Sequence, residues 1–293
     1  MRTKSFLQCS LLMSAAAVLA FSLPAKAQVS TVQLQEWLNL PTSTSHVGNI
    51  TGNAKAAAPV YRRYCVGCHG DLGDGNGEVA QWLQPPMWPK PRDFQLGIFK
   101  CRSTPTGTLP TDEDLFDTIG RGLDRSSMPI WNTFTKDERA DLVAWIKHFS
   151  PRWQHEKPGT PIQIPAEPEV TPERVKAGQE VFGRVQCWKC HGVQGMANGP
   201  SASTLTDDLG APIWPYNFTD GSRPKCGNSD RDIYKIFMTG LDGTPMPSFV
   251  DNIKPDEAWD LVFYLRTLQP HNAFNAKEKQ IAKQLGLKPV AAQ

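Results

Sequence analysis

Two cysteines three positions apart, with a histidine directly after the second, occur twice in this chain. The first set is Cys65-Val66-Gly67-Cys68-His69 and the second is Cys187-Trp188-Lys189-Cys190-His191. This C-x-x-C-H pattern reads as a c-type haem attachment site. The spacing has a chemical reason. Two thiols on one turn of chain reach the two vinyl groups on one edge of a porphyrin, and the adjoining imidazole points a ring nitrogen at the iron. A bare C-x-x-C also suits a thioredoxin-like redox pair or half of a zinc site. No βαβ pattern surrounds either pair, and the two motifs stand more than a hundred residues apart. The expected cofactors are therefore two covalently bound haem c groups, on Cys65, Cys68, Cys187 and Cys190.

The elements that must position these residues are themselves duplicated. "KPRDF" at residues 90–94 is echoed by "WPYNF" at 214–218, and "DEDLFDTI" at 112–119 by "DRDIYKIF" at 230–237. "ADLVAWIKHF" at 140–149 is echoed by "WDLVFYLRTL" at 259–268, and "GLDRSSMP" at 122–129 by "GLDGTPMP" at 240–247. A fixed period of this kind marks tandem copies of one unit. Within each copy the pattern is helical. Leu142, Trp145, Ile146 and Phe149 fall on one face of a helix over 137–149, and Val175, Gln179 and Phe182 share a face of the helix that runs into the second Cys pair. Residues 114–122 read as a short helix ending on Gly122. Three helices in about 95 residues bury little core unaided, so a large apolar cofactor would fill the deficit.

The chain ends and the joint between the copies complete the organisation. Arg2 and Lys4 precede an apolar run that ends at Ala25-Lys26-Ala27, which reads as a cleaved secretory signal peptide over residues 1–27 and predicts a periplasmic protein. Losing Arg2, Lys4 and Lys26 takes the basic count from 31 to 28, against 29 acidic residues. That balance points to neither nucleic acid nor an anionic membrane as partner. Residues 28–55 read as a polar N-terminal extension, 56–150 as the first domain and 171–270 as the second. Between them, 151–170 reads as an extended, semi-rigid Pro-rich linker. Residues 271–293 form a charged, partly helical tail.

"YCVGCHG", "GLDRSSMP" and the "DLVAWIKHF" helix resemble a class I cytochrome c domain. The likeness covers roughly Ala56–Ser150 and, in the second copy, Thr171–Gln269. It implies an all-α fold of two tandem cytochrome c-like domains, each wrapped around one haem. It also implies His69 and His191 as proximal iron ligands and a loop methionine before the last helix as the distal ligand. Met87, Met196 and Met238 compete for that role, but only Met128 and Met246 hold the same place in both copies. Met/His ligation raises the reduction potential. In the resembled family a proline carbonyl accepts the other ring N–H of the proximal histidine, which makes Pro91 and Pro215 the candidates.

Cys101 and Cys226 remain, at equivalent positions outside the motifs. Exported cysteines are usually paired, so a bridge between the domains is expected, with two separate buried thiols as the alternative. His148 reads as a surface residue, and His46 and His155 fall in irregular segments. Three functions fit. The first is an electron carrier between redox proteins, with a quinol-oxidising complex or dehydrogenase as donor and an oxidase or reductase as acceptor. The second is the electron-transfer subunit of a larger oxidoreductase. The third is a catalytic dihaem enzyme of peroxidase or thiosulfate-oxidising type, which needs an open iron position or a cysteine ligand.

Overall fold

The computed structural model describes residues 40–82, 89–272 and 275–288. The expected signal peptide and Met87 lie outside the described residues, as does most of the N-terminal extension. Residues 39–293 form one compact unit that holds both copies. Among the described residues, no helix is long and apolar enough to cross a membrane.

The chain is mostly helical. A hairpin of β1 (Thr44–Val47) and β2 (Ile50–Asn53) leads into α1 (Ala54–Tyr64) and the single turn α2 (Val66–His69). Then come α3 (Glu78–Trp82), α4 (Asp112–Arg121), α5 (Lys136–His148) and the turn α6 (Arg152–His155). The second copy contributes α7 (Pro172–Arg184), α8 (Trp188–His191), α9 (Asp230–Thr239) and α10 (Pro255–Leu268), and α11 (Ala276–Leu285) closes the chain. Helix starts follow from side-chain caps. Thr111 with Asp114, Thr135 with Glu138 and Ser229 with Asp232 each form a reciprocal capping box. Thr171 caps α7, with Pro172 in the first turn, where its missing N–H costs nothing.

Each copy has its own apolar core. In the first, α1 crosses α5, and Tyr61 meets Trp145 with ring centroids 5.5 Å apart. In the second, α7 crosses α10, and Phe182 meets Tyr264 at 5.4 Å. The second crossing is close because residue 178 is glycine: a Cβ there would overlap the Asp260 carbonyl. Burying a ring such as Phe182, which has no exposed surface, contributes about 2 kcal/mol.

The linker differs from expectation, and the extension and the partly helical tail are held more closely than their composition suggests. The extension is not featureless, since its end is the β-hairpin, turned at Gly48 with φ 56°. Ser43 and Ser45 donate to the Ala144 and Ala140 carbonyls of α5 at 2.9 and 2.6 Å, and Asn53 caps α1. The alternating stretch is too short to announce itself as a strand. The linker, in turn, is not a spacer. Gly159 N–H donates to Leu109 O at 3.1 Å and Ile162 N–H to Ser103 O at 2.8 Å. Ile162, Ile164 and Val170 then pack on the second core. The isolated isoleucines between prolines show no period, so their burial was invisible in sequence. The tail is docked as well: Ile281 of α11 is buried in the second core, and Lys279 donates to Thr267 O at 2.6 Å.

Candidate haem-binding sites

In the first copy α1 delivers Cys65, whose N–H donates to Tyr61 O at 2.9 Å. The turn α2 then places Cys68 and His69. Gly70, at φ 79°, reverses the chain, and the buried Tyr61 hydroxyl holds its carbonyl at 2.7 Å. The loop returns under the motif, with Gly75 N–H donating to His69 O at 2.9 Å and Gly77 N–H to Cys68 O at 3.2 Å. Phe94 stacks on the His69 ring at 4.4 Å and 17°.

The His69 ring nitrogen Nδ1 lies 3.2 Å from the Arg92 carbonyl, and His191 Nδ1 lies 2.9 Å from the Tyr216 carbonyl. A carbonyl only accepts, so Nδ1 carries the proton in both rings and Nε2 keeps its lone pair. This corrects the expectation for Pro91 and Pro215, because the acceptor in each copy is the next residue along. Pro91 has its carbonyl turned against Gly75, where a Cβ would overlap it, and the following carbonyl faces the histidine. Burial pushes His69 down to about 4, against the pull of the Arg92 hydrogen bond, and lowers His191 too. Both rings are held neutral, the form that binds a metal. Burial likewise pushes the Cys65 and Cys187 thiols up to about 12.

The distal loops are near copies of each other. Gly122 ends α4 at φ 70° and Gly240 ends α9 at φ 71°. Leu123 N–H donates to Met128 O at 3.2 Å, and Leu241 N–H to Met246 O at 3.0 Å. Ser126 and Thr244 each bridge inside their loop, accepting from the methionine N–H at 3.2 Å and donating to the leucine carbonyl. A side chain at residue 122 would collide with Pro129 O, at 2.7 Å, so glycine is required where the loop doubles back. Of the rival methionines, Met196 is exposed and Met238 is buried in the second core. His46 sits in the hairpin beside Thr51, and His155 on α6.

Cys65, Cys68, His69 and Met128 line one cavity of about 250 Å³. Its walls include Phe94, Phe99, Leu115, Ile119, Leu142 and Ile146. Free thiols, an imidazole with its tautomer fixed and Nε2 available, and an apolar chamber with a thioether on its wall together fit a haem c. The second copy has the same free thiols, the same fixed tautomer and the same methionine loop, with Cys187 and Met246 packed against its core.

Cys101 and Cys226 form a disulfide that joins the copies, with Cα atoms 5.3 Å apart. Beside it the wholly buried Arg102 donates to Thr239 O and to Asp242 Oδ1, both at 2.7 Å. Asp242 also accepts from Thr106 Oγ1 at 2.5 Å and from Gly107 N at 2.8 Å. The guanidinium of Arg92 lies against Gly243, where a Cβ would stand 3.1 Å from it. Reciprocally, Arg125 of the first methionine loop lies over the Tyr216 ring at 5.5 Å. Each copy thus sets the residue that holds its motif histidine against the other copy's methionine loop. Sequence reasoning missed Arg92, Arg102, Lys100 and Lys225. The one available signal was a lysine directly before each unassigned cysteine, in "FKC" and "PKC".

Two family matches fall in tandem on this architecture: Cytochrome c on residues 175–269, and Cytochrome C oxidase, cbb3-type, subunit III on residues 52–146. The chain belongs to the cytochrome c family. Its domains imply haem c, and they indicate electron transfer. Among solved structures the chain is similar to one of the Kuenenia stuttgartiensis reducing HAO-like protein complex Kustc0457/Kustc0458. The two are 42% identical, with 73% of this cytochrome and 96% of that chain covered and a TM-score of 0.69. No curated protein matches it.

Proposed function

We propose that this tandem cytochrome passes single electrons between redox proteins of the periplasm through two covalently attached haem c groups. Cys65 and Cys68 would anchor the first and Cys187 and Cys190 the second. His69 with Met128, and His191 with Met246, would be the axial ligands. The observation that carries the reading is the convergence of Cys65, Cys68, His69 and Met128 on one apolar cavity. Haem iron supplies a one-electron couple between ferrous and ferric states. The residues of the chain set its terms. Arg92 O and Tyr216 O fix each imidazole so that Nε2 points away from the hydrogen bond. The neutral thioethers favour the ferrous state, and the apolar walls add to that preference. With a histidine and a methionine to hold each iron, no position would remain for a substrate, which favours a carrier over a catalyst. The disulfide removes Cys101 and Cys226 as alternative thiolate ligands.

The measurement is direct. Haem stoichiometry and mass should give two covalent haems per chain, and the reduced protein should bind carbon monoxide slowly or not at all. Rapid stoichiometric binding at one haem would overturn the carrier reading. The likeness to a chain of a named protein complex favours a fixed electron-transfer subunit over a free carrier. Co-purification of a stable oxidoreductase partner from native membranes and soluble extract tests that choice.

A further inference from the structure

The wall of the first cavity is not made by the first copy alone. Lys225, from the second copy, lines it together with Arg92 and Lys100. Lys225 precedes Cys226 and Lys100 precedes Cys101, so the disulfide pins both lysines at the cavity edge. All three cations are half-buried. Among the described residues, neither lysine has an ion pair. The charges that Lys225 feels are those of Arg92 and Arg125, which are cations like itself. Lys100 feels Arg92 and Lys225, offset by the weaker influence of Asp207 and Asp208. Arg92 feels Asp207 and Asp208 most among its neighbouring charges, then Asp93 and Asp242. Burial and like charge push both lysines down to about 8.

Grouped cations at the edge of an apolar chamber call for an anion, since burying unpaired charge is costly. The occupant proposed for the chamber brings two carboxylates on an otherwise apolar body. We propose that Arg92, Lys100 and Lys225 form a carboxylate site for the haem of the first copy, with Lys225 supplied across the domain boundary. The inference rests on the haem reading of that cavity. Its consequence is that the first haem site is complete only when the second domain is docked. A cation at the haem edge disfavours the additional positive charge of the ferric state, so the trio also raises the first haem's potential.

The test is a potentiometric titration of the intact dihaem protein and its Lys225→Met and Lys225→Arg variants. The two haems are told apart by a Met128→His variant, which alters the first only. Lys225→Met should shift the first haem's reduction equilibrium towards ferric by about tenfold, or about 59 mV for one electron. The second haem should stay in place, and Lys225→Arg should restore the parent value. Redox-difference infrared spectra should show a perturbed carboxylate band in Lys225→Met and not in Lys225→Arg. If Lys225→Met carries two haems and leaves both the potential and the carboxylate band unchanged, the carboxylate site is wrong. If Lys225→Met loses haem, Lys225→Arg decides: a parent-like potential and band support the site, and a shift equal in both haems sinks it. A parent protein with one haem and free Cys65 and Cys68 would instead refute the underlying haem reading.

Discussion

The two methionine loops share their internal hydrogen bonds but not their anchorage. The loop of Met246 is held from outside: Asp242 takes Arg102, Thr106 and Gly107 from the first copy, and Thr239 O takes Arg102 as well. The loop of Met128 reaches the second copy through Arg125, which lies 4.0 Å from Asp220 and over Tyr216, with both charged partners about a third exposed. Position 125 carries arginine at φ 57°, where the second copy has Gly243 at φ 80°. Duplication therefore preserved the methionine-bearing turn while its supports diverged. The Met246 loop is tied to the buried Arg102 of the other copy, and the Met128 loop makes a rim contact. Of the two proposed iron ligands, Met128 should be easier to displace than Met246.

The largest test removes the two methionines proposed as ligands. Met128→Ala should abolish the long-wavelength Fe–S(Met) absorption of the first haem and open it to carbon monoxide, and Met246→Ala should do the same for the second. Absorption spectra with carbon monoxide titration read both. Next in size is the disulfide, which closes a separation of 125 residues. A Cys101→Ser, Cys226→Ser double variant should lose about 5 kcal/mol in denaturant unfolding, on a chain-entropy basis. It should also narrow the difference between the two distal ligands, because the interface that holds the Met246 loop is loosened.

Arg102→Ala takes the buried cation from Asp242 and a guanidinium donor from the Thr239 carbonyl, while Thr106 and Gly107 still bond Asp242. It should cost about 3 kcal/mol, and exogenous imidazole should then displace Met246 as readily as Met128. An unchanged imidazole preference would break the proposed distinction between the loops. Arg125→Ala should be the mildest, at no more than about 0.5 kcal/mol, because an exposed pair contributes little. It should leave the Met246 site spectroscopically untouched.

What was legible in the sequence was local. The motif spacing, the repeated Gly-Leu-Asp-x-x-x-Met-Pro turn and the faces of α5 and α10 depend on neighbours within one or two turns of chain. What was not legible depended on chain direction and on distant partners. Pro91 and Arg92 differ by one residue, and which carbonyl meets His69 is decided by how the return loop packs on Gly75. The roles of Arg102 and Lys225 exist only once two copies are docked. The hairpin and α11 solve one problem by different means. Each lies against the terminal helix of its copy, where Ser45 reaches Ala140 and Lys279 reaches Thr267. They meet different stretches of the two helices, and no periodicity announces either contact.

The stitched linker has a kinetic meaning. With Gly159 and Ile162 bonded to the first copy and Ile162, Ile164 and Val170 seated on the second, there is no slack strand on which one domain swings away from the other. An electron passing between the two cofactor sites would cross a fixed gap rather than await a diffusive approach. Its transfer rate should then be indifferent to solvent viscosity, unlike that of a pair of domains on a loose tether.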